Sequence, residues 1–236
     1  MLTTALIVLA VATLAFGLSA SAGLGGSLLL VPVLVLLLGP KEGVALSALL
    51  LASNNVAKVV AYRATIPWGA ALWVVVLTVI GAALGARLLV STPESWVRIA
   101  VAASIALTLI GERVGLDRLR KASSPVLAFC AGLTSGFSGT SGPLKGIALR
   151  SLNFDRRHLT GAASTVSLAG DAAKLTVFAS TALLDGFAGA VWVAAIPLMV
   201  LATAIGRRVN SEMGERGYTI LFWTVMAGYT LRIALR

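Results

Sequence analysis

Two lysines lie inside stretches that otherwise read as membrane helices, Lys58 within 43–62 and Lys174 within 157–180. An ammonium group midway along such a helix costs ~3 kcal/mol or more, so each must face a cavity or a partner, and a bound anion is one such partner. Ser47, Asn54, Asn55, Lys58 and Tyr62 fall on one helical face, as do Ser164, Ser167, Asp171, Lys174 and Phe178. Asp171 sits three residues before Lys174, where an ion pair on adjacent turns would account for that lysine structurally. Lys58 has Asn55 in the equivalent position and no such partner, which makes it the stronger ligand candidate.

Upstream of each lysine the chain is interrupted by glycines. The first interruption is Gly23-Leu24-Gly25-Gly26-Ser27, and the second runs Ser135-Gly136-Phe137-Ser138-Gly139-Thr140-Ser141-Gly142-Pro143. Glycine admits positive φ and close approach of the backbone to a ligand, and a helix starting there points unpaired N–H groups at it. Ser27, Thr140 and Ser141 add hydroxyl donors, and Pro143 suits a first helical turn. Close helix packing alone would explain one such glycine cluster. Here Gly23, Gly26, Asn55 and Lys58 recur as Gly139, Gly142, Asp171 and Lys174 at a constant offset of 116 residues, each copy with hydroxyls and a downstream lysine. Two matched violations of membrane rules point to a site between two repeats.

The elements that must carry these residues follow from composition. The chain is 58% hydrophobic and 12% charged, against roughly 25% charged in a soluble domain. The expected class is therefore all-α and polytopic. Each half reads as a glycine-broken helical pair followed by three further helices: 3–39, 43–62, 67–90 and 95–112, then 125–152, 157–180, 186–208 and 216–235. The halves are 1–112 and 125–236, joined by a basic linker at 113–124. A single helix over 3–39 would be about 54 Å long against a hydrocarbon core of ~30 Å, so it must turn back, as a re-entrant hairpin or as two short spans. An even number of passes there plus three more gives each half an odd count and inverts the second half relative to the first.

The cations test that count. With the linker in the cytoplasm, the same side receives Arg63, Arg113, Arg118, Arg120, Lys121, Arg150, Arg156, Arg157, Arg207, Arg208 and Arg216. The other side keeps Lys41 beside Glu42 and the turns at 91–95 and 181–186. This is the distribution expected of a cytoplasmic-membrane protein with both termini outside the cytoplasm. It also explains the net charge of +10 without nucleic acid.

Other chemistry is thinly supplied. One cysteine, Cys130, reads as a small core residue, and one histidine, His158, stands between Arg157 and Leu159 in a loop, so no metal centre, cofactor site or histidine-based triad is expected. No nucleophile has an evident base, which argues against an enzyme. Asp171 is the one carboxylate in the middle of a span, and a carboxyl beside a lysine could take up a proton when substrate leaves.

The run Gly23-Leu24-Gly25-Gly26-Ser27-Leu28-Leu29-Leu30-Val31-Pro32, the second-half Ser138-Gly139-Thr140-Ser141-Gly142-Pro143 and the helix end Gly81-Ala82-Ala83-Leu84-Gly85-Ala86-Arg87 resemble the sulfite exporter TauE/SafE family along essentially the whole chain. The resemblance implies a secondary transporter of small sulfur-containing or organic anions, of sulfite or sulfonate type, that exports by alternating access. It carries over to Gly23, Gly25, Gly26, Gly139, Gly142 and Pro143. Ser27 stands where the family's first run has its last glycine, and Ser141 and Pro143 replace two glycines of the second. The expected substrate site thus comprises Gly23, Gly25, Gly26, Ser27, Asn54, Asn55, Lys58, Gly139, Thr140, Ser141, Gly142, Asp171 and Lys174. The expected partners are a small anion and the lipid bilayer, with self-association left open. The competing readings are an anion channel and a non-transporting sensor or scaffold subunit.

Overall fold

The computed structural model describes residues 2–22, 26–114, 124–141, 144–154 and 156–212, and within them all regular structure is helical. Nine α-helices follow one another: α1 (Leu2–Ala22), α2 (Gly26–Leu38), α3 (Pro40–Tyr62), α4 (Trp68–Ser91), α5 (Glu94–Val114), α6 (Ser124–Ser138), α7 (Leu144–Arg150), α8 (Arg156–Phe178) and α9 (Gly186–Glu212). The expected linker falls largely outside the described residues, as does the expected helix at 216–235.

Among the described residues four segments are long and apolar enough to cross a bilayer: Leu2–Ala20, Pro40–Thr65, Trp68–Ser91 and Gly186–Gly206. α2 has 13 residues, about 20 Å of helix, and cannot span ~30 Å by itself. It returns along α1, because Gly26 packs on Ser19 and Ala15, then reverses at Gly39 so that Gly43 lies against Leu34 and Val35. The run 3–39 does turn back, as expected. α3 begins earlier than the expected residue 43, at Pro40, since proline is suited to a helix's first turn. In the second half the pair is more unequal. α6 has 15 residues and α7 only 7, and the chain leaves α7 through Asn153 at φ 54, a left-handed conformation that asparagine tolerates.

Contacts between named residues set the helix directions. Asn55 on α3 meets Asp171 on α8, while Thr65, further along the chain, packs against Gly161 near the start of α8. α3 and α8 therefore run antiparallel through the centre. On α4 and α6, Gly81 faces Leu133 and Gly85 faces Phe137, so these helices run parallel. Their approach is backbone to backbone. A Cβ built on Gly132 would lie 2.9 Å from the Ala82 nitrogen, and one on Gly136 would lie 2.7 Å from the Ala86 nitrogen. Such small-residue seams give van der Waals contact where lipid offers no hydrophobic drive between helices. α9 makes the comparable contact with α1, where Gly206 sits over the Gly17 carbonyl, at 2.5 Å from a built Cβ.

Three apolar clusters fill the spaces between helices. One joins α1, α2, α3 and α9 through Phe16, Leu30, Leu46 and Met199. Another joins α2, α3, α4, α5 and α8 through Val31, Val44, Leu89, Val101 and Phe178. The last joins α4, α6, α7 and α8 through Val74, Ala128, Leu149 and Val166. Leu14, Val60, Leu72, Ile99 and Val200 point outward, as a hydrocarbon-facing surface requires. Gly136→Val should force α4 and α6 apart and cost about 1–3 kcal/mol or more from overpacking. A lower unfolding temperature of the detergent-purified protein, with no matching loss for Gly189→Val at an open position, is the expected result.

Candidate functional site

α3 and α8 carry polar and charged side chains into the interior of the bundle, and these have to find partners there. Asn55, Lys58, Asp171 and Lys174 are all at most 5% exposed. Asn55 Nδ2 donates to Asp171 Oδ2 at 2.7 Å, joining two residues that are 116 apart in sequence. The 116-residue offset read from the sequence is thus the separation of two residues that touch. The lysines repeat the relation. Lys58 Nζ donates to Ser19 Oγ at 2.9 Å and Lys174 Nζ to Ser135 Oγ at 3.2 Å, and in both cases the partners are 39 residues apart.

The two lysines differ in what neutralises them. Lys174 Nζ lies 2.6 Å from Asp171 Oδ1, so that carboxylate is shared between Lys174 on its own helix and Asn55 on the facing one. Lys58 has no carboxylate within ion-pair distance among the described residues, and a serine hydroxyl is its hydrogen-bond acceptor. The expectation that Asp171 pairs with Lys174 while Lys58 has no such partner matches this geometry.

A cavity of about 40 Å³ opens at this level. A single water needs roughly 10–15 Å³ by the same measure, so the space suits an ion of a few heavy atoms. Its wall brings together Gly26 and Ser27 at the start of α2, Asn55 and Lys58 on α3, Gly139 and Ser141 after α6, and Asp171 on α8. Gly139 has φ +77, and a Cβ there would meet the Val31 side chain at 2.9 Å, so both conformation and space call for glycine. Three further expected residues are buried but off the wall. Lys174 is turned to Asp171 and Ser135; Asn54 Oδ1 accepts a hydrogen bond from Thr203 Oγ1 at 3.1 Å; and Thr140 is 1% exposed, its carbonyl receiving the Ser138 hydroxyl. Gly23, Gly25 and Gly142 lie outside the described residues.

Several wall residues were not expected from sequence. Ser19, Thr78, Ser135 and Gly170 line the cavity, and so does a third lysine, Lys145 of α7, whose Nζ donates to Ser167 Oγ at 2.6 Å. The signal for Lys145 was the same as for Lys58, a cation inside an apolar stretch. The 116-residue offset pairs it with Leu29, however, so it stands at no matched position. Ser19 and Ser135 do obey the offset, but serines are common in helices and carry little signal alone. Among the described residues no group of three or more histidine, cysteine or acidic side chains is placed to hold a metal ion.

An all-α bundle with an apolar exterior and helices long enough to cross a bilayer defines a polytopic membrane protein. The family model for the sulfite exporter TauE/SafE matches residues 8–233, so the chain belongs to that family of membrane transporters. Searches of curated proteins and of solved structures find no match.

Removing the shared carboxylate isolates its effect on stability. Asp171→Asn leaves Lys174 with a hydroxyl but no countercharge, and breaking one side of such a buried pair costs ~3 kcal/mol or more. A clear drop in unfolding temperature is expected, with partial recovery in Asp171→Asn/Lys174→Gln. An unchanged melt for the single variant would mean that the ion pair carries no stability.

Proposed function

We propose that the chain is a secondary transporter that exports small sulfur-containing or organic anions through the cytoplasmic membrane, binding them in the cavity between two inverted halves. The observation that carries the reading is Lys58: an ammonium 2% exposed, on the wall of a central cavity, satisfied by one serine and no carboxylate. A cation in that position is stabilised by an anion that comes and goes, and an oxyanion has several acceptors for the lysine and the surrounding hydroxyls.

The antiparallel α3 and α8, and the recurrence of the lysine–serine bonds at one offset, support halves of opposite orientation. Inverted halves can rock around a shared site and open it to one side at a time. The charge partition is supported at both ends of the bundle. The turn after Arg63 lies against the start of α8 beside Arg156 and Arg157, and Lys41 donates to the Val90 carbonyl beside the 91–95 turn at 2.7 Å. That arrangement favours a cytoplasmic side holding the arginine-rich turns and termini on the opposite side. Asp171, the carboxylate of the wall, is the group through which a proton would couple to transport.

In proteoliposomes, saturable counterflow of labelled sulfite or a small sulfonate is expected for the wild type, with apparent affinity reduced about tenfold or more, ~1.4 kcal/mol, in Lys58→Ala. The same anions should raise the unfolding temperature of the wild type and not of the variant. Equal stabilisation of both proteins would remove Lys58 from the site, and uncoupled currents without counterflow would make the protein a channel. Stimulation of transport by a pH gradient should disappear in Asp171→Asn, and its persistence would exclude that carboxyl as the proton carrier.

A further inference from the structure

We propose that the cavity selects doubly charged oxyanions of three or four oxygens over singly charged ones, and that Lys145 is the residue that sets this preference. The inference rests on the transport reading above and specifies the charge class of its substrate.

The argument is a count of charges at one place. Three lysines meet around the cavity, Lys58 and Lys145 on its wall and Lys174 just behind Asp171. Asp171 is the carboxylate among them, and it is committed: Lys174 holds one oxygen at 2.6 Å and the Asn55 amide holds the other at 2.7 Å. That leaves two ammonium groups whose side-chain partners are hydroxyls, Ser19 for Lys58 and Ser167 for Lys145. An ammonium has three donors, and a hydroxyl brings no countercharge. A monoanion placed between Lys58 and Lys145 therefore leaves one positive charge uncompensated beside the buried Lys58, whereas a dianion balances both. In such surroundings the difference is large compared with the gain from any one neutral hydrogen bond.

Shape agrees with charge. Lys58 comes from α3 in the first half and Lys145 from α7 in the second, and Ser27, Ser141 and Asn55 also line the space. Compact oxyanions offer acceptors in several directions at once, and about 40 Å³ leaves little room for a long organic tail. Lys145 is also where the two halves differ. Its counterpart at the repeat offset is Leu29, so the second unbalanced charge is supplied by one half only.

The full-length protein in proteoliposomes can be assayed by inhibition of labelled-anion counterflow with sulfate or thiosulfate, against methanesulfonate or perchlorate, all fully ionised at neutral pH. The wild type is expected to favour the dianions by about tenfold or more. Lys145→Leu, which installs the residue found in the other half, should lower that ratio about tenfold, and Lys145→Arg should retain it. A wild type that ranks the two charge classes equally overturns the proposal, and so does a Lys145→Leu ratio that does not move. If the leucine variant is not recovered folded, Lys145→Gln and the wild-type ratio decide the same question. Absence of transport of every anion by the wild type would instead defeat the underlying transporter assignment.

Discussion

Among the described residues three ammonium groups meet one carboxylate inside a bundle whose exterior is apolar, and how that imbalance is resolved governs the rest of the structure. Each buried lysine in a membrane interior costs several kcal/mol unless it is paired or hydrated. Asp171 offsets one of them. Lys58, equally buried, and Lys145, only partly buried, are left facing the same small cavity, with serine hydroxyls holding their ammonium groups in position. A fold optimised for stability alone would replace these lysines with apolar residues of similar volume, as buried ion networks generally permit. Retaining them makes sense when a negatively charged ligand completes the set.

The packing around this centre explains why it can exist. α3 and α8 must sit side by side in the middle of the bundle to bring Asn55 to Asp171, and they are held there by helices that approach to backbone contact. The Gly81/Gly85 and Gly132/Gly136 seam draws α4 onto α6, and Thr78, next to that seam, donates to the Ala128 carbonyl while also lining the cavity. Gly206 over Gly17 does the corresponding work between α9 and α1. Larger residues at these seams would widen the frame and pull the central pair apart. The glycines outside the site are in this sense as necessary to it as those on its wall.

The helices were legible in the sequence because hydrocarbon leaves few alternatives, and most expected limits fall within a few residues of those found. The turning back of 3–39 followed from length alone. The Asp171–Lys174 pair followed from i, i+3 spacing. What escaped either had no counterpart at the 116-residue offset or, like Ser19 and Ser135, was a residue type too common in helices to stand out. Lys145 was hidden because its mate is Leu29, and Asn54, which looked like a wall residue from its neighbour, turns to Thr203 instead. Adjacent residues on a helix point about 100° apart, so Asn54 and Asn55 could not both face one cavity squarely. Tertiary contacts decided which did.

The asymmetry between Asn55 and Asp171 has a physical reason that follows from where they sit. A residue that meets its own counterpart across the contact between two related helices is constrained by that meeting. Two aspartates there would repel in a medium that screens poorly, and one would have to be protonated. Two asparagines could bond to each other, but Lys174 would then lose its countercharge along with Lys58. One of each provides a donor opposite an acceptor and, at the same time, assigns the Asp171 carboxylate to one lysine. The split that lets the halves bond is thus also what leaves Lys58 without a carboxylate. Asn on one helix and Asp on the other make the joint between α3 and α8 and fix which lysine the carboxylate serves in the same step.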